Sequence, residues 1–197
     1  MDVYVASSIF WCSPMFKKTQ LISALVISIT AGLLAGTLQA QAPRLVAGDM
    51  APAWQGKDML SGQNLSFPAA LNNKPAVLVF WATWCPYCKA FMPYAKAIQA
   101  DFAQAGVQIL TFNAKERGKG DPLKYAKSLD FPMVAIADAD AIAERYTVKF
   151  IPGLMVVDGN GKIIYRRGWT ELPAGKKVAQ QWSEEVRDVL ENVTAAR

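Results

Sequence analysis

The sequence predicts an α/β fold, a central mixed β-sheet flanked by helices with an N-terminal β-hairpin extension. Three observations carry that expectation. Short, wholly apolar runs rich in β-branched and aromatic residues recur, led by PAVLVFWAT (Pro75–Thr83) and VQILTF (Val107–Phe112), the pattern of strands buried on both faces. Segments with helical periodicity alternate with them. A hairpin and an amphipathic helix then close the chain, a sequence of elements that suits a mixed sheet between helical layers.

Taken in order, PRLVAGDMAPAWQGKDMLSGQNLSF (Pro43–Phe67) is rich in Gly, Pro, Asp and Asn. It reads as a loop and a small hairpin around Ser61–Gly62–Gln63–Asn64. After the strand at Pro75–Thr83 comes a helix whose apolar positions Phe91, Ala95, Ile98, Phe102 and Ala105 follow the 3.6-residue period. Pro93 is expected to kink it and Gly106 to end it. The strand Val107–Phe112 follows. DPLKYAKSL (Asp121–Leu129) opens with an Asp cap and a Pro at the first helical position. MVAIAD (Met133–Asp138) is a third strand and ADAIAERYTV (Ala139–Val148) a short helix. LMVVDGNGKIIYR (Leu154–Arg166) is a hairpin turned at Asp158–Gly159–Asn160–Gly161. Val178, Trp182, Val186, Val189 and Val193 form one face of the last helix.

The 197 residues suffice for one ordinary domain and an extra segment. That segment lies at the N-terminus. Lys17 and Lys18 precede the nearly unbroken apolar run LISALVISITAGLLAGTLQA (Leu21–Ala40), and no charge follows until Arg44. A basic lead, an apolar stretch and small residues at its end describe an export signal. Met15 opens this pattern by itself, which makes residues 1–14 a candidate over-called start. Two cleavage points compete. Ala40–Gln41–Ala42 has the small-x-small form but leaves Pro43 behind the cut, while cutting after Ala40 places the bulkier Leu38 at the third position back. The run is long for a signal core, so residues 19–42 are the alternative N-terminal membrane anchor. Its Ser, Thr and Gly content favours removal. Either way residues 43–197 are expected outside the cytoplasm, in the periplasm. Cys12 precedes the apolar run and so cannot be a lipid-bearing cysteine after it.

The charge of 21 cations against 16 anions is +5. The densest basic stretch, Ala114–Lys127, has no interleaved aromatic ladder, so a solvated loop and helix face is preferred to a nucleic-acid surface.

FWATWCPYCKAF (Phe80–Phe91) holds Cys85 and Cys88 in a chain with 3 Cys and no His. A structural zinc site needs four ligands, which two thiols without histidine do not supply. A purely structural bridge fits an exported protein, yet closing so short a loop restricts the unfolded chain little. A redox dithiol meets its requirements. The buried strand delivers Cys85 to a helix N-terminus, where unpaired N–H groups and the dipole stabilise a thiolate. Cys88 follows one turn later and can attack a mixed disulfide from within.

With FWATWCPYCKAFMP (Phe80–Pro93) and VKFIPGLMVVDGNGKII (Val148–Ile164), the chain resembles the thioredoxin superfamily. The opening VAGDMAPAW (Val46–Trp54), the early hairpin and the export signal resemble its TlpA/ResA-like extracytoplasmic branch. The likeness covers roughly residues 45–195 and marks 43–197 as a thioredoxin-like domain. It implies an exposed nucleophile at Cys85 and a buried resolving thiol at Cys88. Ile151–Pro152 would be the cis-proline loop that pairs with substrate backbone. Trp84, Pro86 and Tyr87 would form the apolar rim, with Trp81 left to the core. It implies no cofactor and no metal. Its partners would be protein thiols and disulfides, with a membrane electron donor upstream and no nucleic acid.

The sequence departs from the family pattern at several positions. Val79 stands where cytoplasmic thioredoxins bury an Asp, Phe91 where many TlpA/ResA-like proteins carry a Glu, and Gly153 where a Thr usually follows the proline. Glu116 and Lys115 are the candidates for the missing base toward Cys88. The expected function is protein thiol–disulfide exchange through Cys-Pro-Tyr-Cys, as a reductase in cytochrome c maturation or disulfide repair. Alternatives are an oxidase or isomerase, a thiol peroxidase (Thr83 lies one position away from that family's spacing), and a binding domain with an inert disulfide. The Pro86–Tyr87 pair is that of glutaredoxins, but the fold signals and compartment do not suit a glutathione enzyme. Copper delivery would need a wider cysteine spacing and a histidine.

Overall fold

A computed structural model of the chain describes residues 43–195. The expected export leader or anchor and Cys12 lie outside the described residues. Among those described, no helix is long and apolar enough to cross a membrane.

The elements run β1 (Trp54–Lys57), β2 (Asn64–Phe67), a 3₁₀ turn (Ala69–Leu71), β3 (Ala76–Trp81), α1 (Pro86–Asp101), β4 (Gln108–Asn113), α2 (Pro122–Ser128), β5 (Val134–Ile136), α3 (Asp140–Arg145), β6 (Gly153–Val157), β7 (Ile163–Arg166) and α4 (Val178–Ala195). β1 and β2 form an antiparallel hairpin. The five other strands make one sheet in the order β5-β4-β3-β6-β7. β3 pairs in parallel with β4, and β4 with β5, while β6 runs antiparallel to β3 and β7 to β6. This is the mixed sheet with flanking helices and N-terminal hairpin that the sequence predicts.

β3 is fully buried along its length because both faces of the sheet are covered. The side-chain period of two sends Leu78 and Phe80 to a core shared with Trp54, Phe67, Phe112 and Tyr146, under the hairpin and α3. Val77, Val79 and Trp81 go to the other core, shared with Phe91, Ile98, Trp182 and Val186 of α1 and α4. Burying a side chain such as Phe80 stabilises by roughly 1.5–3 kcal/mol. Trp81 is completely buried, as a core residue should be.

Asp58, buried just past β1, fastens the hairpin to the sheet edge. Its carboxylate accepts hydrogen bonds from Leu60 N, Ser61 N, Ser61 Oγ and Ala135 N of β5. Burial alone would raise its pKa, but these donors outweigh it and hold the group below its ordinary value.

One detail of α1 differs from expectation. The helix ends at Asp101, before Gly106, because the chain tightens there into shorter-range bonds. Ala105 N donates to Phe102 O at 3.1 Å and Gly106 N to Ala103 O at 2.9 Å, before Gly106 turns at φ +72°. The helix continues through Pro93, whose missing N–H leaves the Lys89 carbonyl without its i+4 donor. A cis Phe67–Pro68 bond, which the sequence does not announce, joins the expected cis Ile151–Pro152.

Candidate active site

β3 ends at Trp81 and α1 begins at Pro86, so four residues carry the chain from the sheet's centre to a helix N-terminus. Cys85 is the N-cap of α1. It has an extended backbone, Pro86 occupies the first turn, and Cys85 Sγ accepts the Cys88 N–H at 3.1 Å. That hydrogen bond and the positive end of the helix dipole are what a thiolate at this position would use. Cys85 and Cys88 form a disulfide, with Cα atoms 5.3 Å apart.

Cys88 is completely buried. Cys85, expected to be exposed, is only 2% exposed in this oxidised form. The reason is packing. The bridge places both cysteines in the core shared with Trp81 and Phe91, and Ile151 packs against that same core.

The segment before Cys85 is held by residues 113–117 at the end of β4. Glu116 Oε1 accepts from Thr83 N at 2.6 Å, and Oε2 accepts from the Thr83 hydroxyl at 2.7 Å. Asn113 Nδ2 donates to Glu116 Oε1 at 2.7 Å. Trp84 Nε1 donates to the Lys115 carbonyl at 2.7 Å, while the Arg117 guanidinium lies 4.3 Å from the Trp84 ring centre. At Gly120 a β-carbon would overlap the Thr83 side chain, so the loop after β4 can close here only with glycine. Burial pushes the Glu116 pKa up, but the bonds from Thr83, Asn113 and the Arg117 backbone prevail and lower it. A carboxylate so acidic and so committed is a poor proton acceptor at neutral pH. Neither Glu116 nor Lys115 hydrogen-bonds Cys88, so neither supports the expectation of a base there.

On the other side, Tyr87 of the first turn of α1 and the Ile151–Pro152 loop line a groove of about 930 Å³ together with Phe150, Trp169 and Trp182, while neither cysteine lines it. Three residues expected to touch substrate, Tyr87, Ile151 and Pro152, therefore share one concavity. Trp84 and Pro86 do not line it. Trp84 instead faces the clamp from β4, still 38% exposed, and Pro86 is an exposed residue of the first helical turn.

Arg166 and Arg167, which the sequence reading passes over, secure this side. Arg166 donates to the carbonyls of Tyr146 at 2.8 Å and Thr147 at 2.9 Å. Arg167 reaches the Pro152 carbonyl through Nη2 at 2.6 Å and Nε at 3.1 Å, and its guanidinium lies 4.7 Å from the Trp182 ring centre. Tyr87 meets that same indole at 6.3 Å. The one available signal was their position, two adjacent cations at the end of the closing hairpin. Gly153 is also accounted for. A β-carbon there would sit 2.8 Å from Val148 Cγ1 and 3.2 Å from Phe80 Cβ, so no Thr fits.

Among the described residues no group of three or more His, Cys, Asp and Glu is placed to hold a metal ion. A paired thiol couple at a helix N-terminus, on a mixed sheet with a cis-proline loop, defines a thioredoxin-like thiol–disulfide oxidoreductase. The chain belongs to the AhpC/TSA family, whose model matches residues 47–166. It is 27% identical over 187 residues to the thiol-disulfide oxidoreductase ResA of Bacillus cereus, covering 91% of this chain and 99% of that protein. It is 31% identical over 128 residues to the thiol:disulfide interchange protein DsbE of Tatumella citrea, covering 64% and 63%. In three dimensions it resembles the thioredoxin domain of a thiol-disulfide oxidoreductase from Bacteroides vulgatus, with a TM-score of 0.58 and 21% identity, over 73% of this chain and 97% of that one.

Proposed function

We propose that the chain is an extracytoplasmic protein-disulfide reductase working through Cys85 and Cys88, in cytochrome c maturation or disulfide repair. The observation that carries this reading is the Cys85–Cys88 bridge at the N-terminus of α1, with Tyr87 of the same helical turn and the cis-proline loop lining a groove of about 930 Å³. In the reduced protein the Cys85 thiolate attacks one sulfur of a substrate disulfide. The substrate's other sulfur leaves as a thiolate and takes a proton. Cys88, deprotonated, then attacks Cys85 Sγ, which releases the second substrate thiol and closes the Cys85–Cys88 bridge. Two electrons and two protons from an upstream membrane dithiol donor reopen it. Tyr87, Ile151 and Pro152 would line the substrate's path, with Trp84 and Pro86 framing the helix end. The basic and apolar leader at residues 17–40, together with the ResA and DsbE relatives, supports export, with residues 43–197 as the working domain.

The peroxidase reading loses ground on geometry, because the Thr83 hydroxyl is committed to Glu116 and does not serve the dithiol. One trapping experiment tests the proposal. In a Gram-negative host, Cys88→Ser should accumulate mixed disulfides with proteins in the periplasmic fraction, and Cys85→Ser should trap almost none. Equal trapping by the two variants would reverse or remove the division of labour, and trapping confined to the cytoplasm would remove the compartment.

A further inference from the structure

Cations favour a neighbouring thiolate, but among the described residues no side-chain cation donates to Cys85 Sγ, and the groove lined by Tyr87 and the Ile151–Pro152 loop is nonetheless one-signed. Its lining carries Arg44, Lys149, Arg166, Arg167, Lys176 and Lys177 and not one carboxylate. With 21 cations to 16 anions in the chain, composition alone does not deliver such a wall. Lys176 is paired with Glu184 at 2.5 Å. Arg166 and Arg167 donate to backbone carbonyls, which orient their guanidinium groups, and Glu185, which lies outside the lining, offsets part of the Arg167 charge. Among the described residues Arg44, Lys149 and Lys177 form no ion pair. Burial, and then the nearby Arg44 and Arg167, pull the Arg166 pKa down to about 10, so the group stays cationic at neutral pH and the three guanidinium groups lie close enough to repel one another. An anion between them would relieve that repulsion.

Large apolar groups stand free within the same wall. Phe150 is 79% exposed and Trp169 94% exposed, with Tyr87 and Leu172 also open to solvent. An aromatic left this bare in a folded chain marks a contact surface. Tyr87 precedes Cys88 and Ile151 packs against the core that holds both cysteines, so an occupant of the groove lies against residues that flank the dithiol. Anchors spread along an open rim suit a chain laid across the groove.

We propose that this groove binds an acidic, aromatic-bearing polypeptide segment, namely the stretch of a substrate protein that flanks the cysteine presented to Cys85. The assignment of the segment to a substrate rests on the oxidoreductase reading above, while the binding chemistry is tested without it. The experiment uses the full chain in its oxidised form and two fluorescein-labelled, cysteine-free peptides of equal length. Both carry the same Phe and Trp, one interspersed with Glu and the other with Lys, and binding is followed by anisotropy. The acidic peptide should bind roughly tenfold more tightly at low ionic strength, and the gap should shrink steeply in 0.5 M salt, as about 8 Å of screening length at physiological salt already implies. The double substitution Lys149→Glu with Lys177→Glu should weaken the acidic peptide several-fold while leaving the Lys-bearing peptide bound at least as well, a result that mere loss of folding cannot produce. Equal binding of the two peptides, or no change of preference in the double variant, overturns the proposal even if the dithiol turns over. Binding as expected with no mixed disulfides from Cys88→Ser would overturn the reductase reading and leave the groove standing. Tight binding of dodecanoate with no binding of either peptide would replace the polypeptide by a small amphiphilic anion and also overturn the proposal.

Discussion

Ahead of Cys85, Thr83 and Trp84 are held by directional contacts. Three hydrogen bonds of 2.6–2.7 Å run from them to Glu116 and the Lys115 carbonyl, with a guanidinium stacked on the Trp84 ring. Past Cys88's partner loop, Tyr87, Phe150 and Trp169 face an open groove, and the polar contacts lie behind them, where Arg167 grips the Pro152 carbonyl. Hydrogen bonds weaken steeply with angle and distance, so the first flank is suited to holding Cys85 in one place. Apolar contact is non-directional and accepts many shapes, so the second flank is suited to varied partners. The two kinds of contact are spatially separate.

That contrast is open to measurement. The largest effect should come from Glu116→Ala, which strands the Thr83 N–H, the Thr83 hydroxyl and the Asn113 amide. We expect a loss of about 1–3 kcal/mol in denaturant unfolding. A loss below about 0.5 kcal/mol would show that the clamp does not hold the loop. Next in size is Gly153→Ala, which drives a β-carbon into Val148 and Phe80 on the floor of the groove and should cost about 1–3 kcal/mol. Adding Val148→Ala should recover part of it, and no recovery would refute the steric account.

The clamp also has a signature in pH. The Glu116 pKa is lower in the folded protein than its ordinary value of 4.5, so its contribution is present above that value and is lost as pH falls through the folded pKa. The wild-type chain should therefore lose stability more steeply than Glu116→Gln as the pH is lowered below about 4.5. Parallel acid curves for the two proteins would show that the carboxylate charge is not used. Asp58 shifts in the same direction and contributes equally to both. The smallest effect should be that of Trp169→Ala. With 94% of the residue already in water, stability should change by less than about 0.5 kcal/mol. A substantially larger loss would mean that the groove side is as constrained as the clamp side.

Much of the architecture was legible in the order of residues. β3 and β4 were visible because strands covered on both faces must be apolar throughout, and their neighbours in sequence supply the period of a helix. α2 was legible down to its cap, with the Asp121 carboxylate accepting the Lys124 N–H at 2.9 Å and Pro122 in the first turn. The dithiol was legible because its requirements are local: a strand end, a helix start and a second thiol one turn on. Where α1 ends was less so, since the turns between Phe102 and Gly106 keep apolar residues at helical spacing without continuing the helix.

What the sequence by itself determined, then, is whatever depends on near neighbours along the chain: the strands, the caps, the hairpin turns and the Cys85–Cys88 pair. Tertiary structure alone decided the surroundings in which that pair sits. Glu116 meets Thr83 across 33 positions because parallel pairing brings the ends of β3 and β4 together, and Arg167 meets the Pro152 carbonyl across 15 because antiparallel pairing sets the end of β7 beside the start of β6. The cations at 44, 149, 166, 167, 176 and 177 read as scattered surface charge until the fold gathers them around one groove. Even the burial of Cys85 was decided this way, since exposure depends on what the rest of the chain packs against a residue, and no local pattern records that.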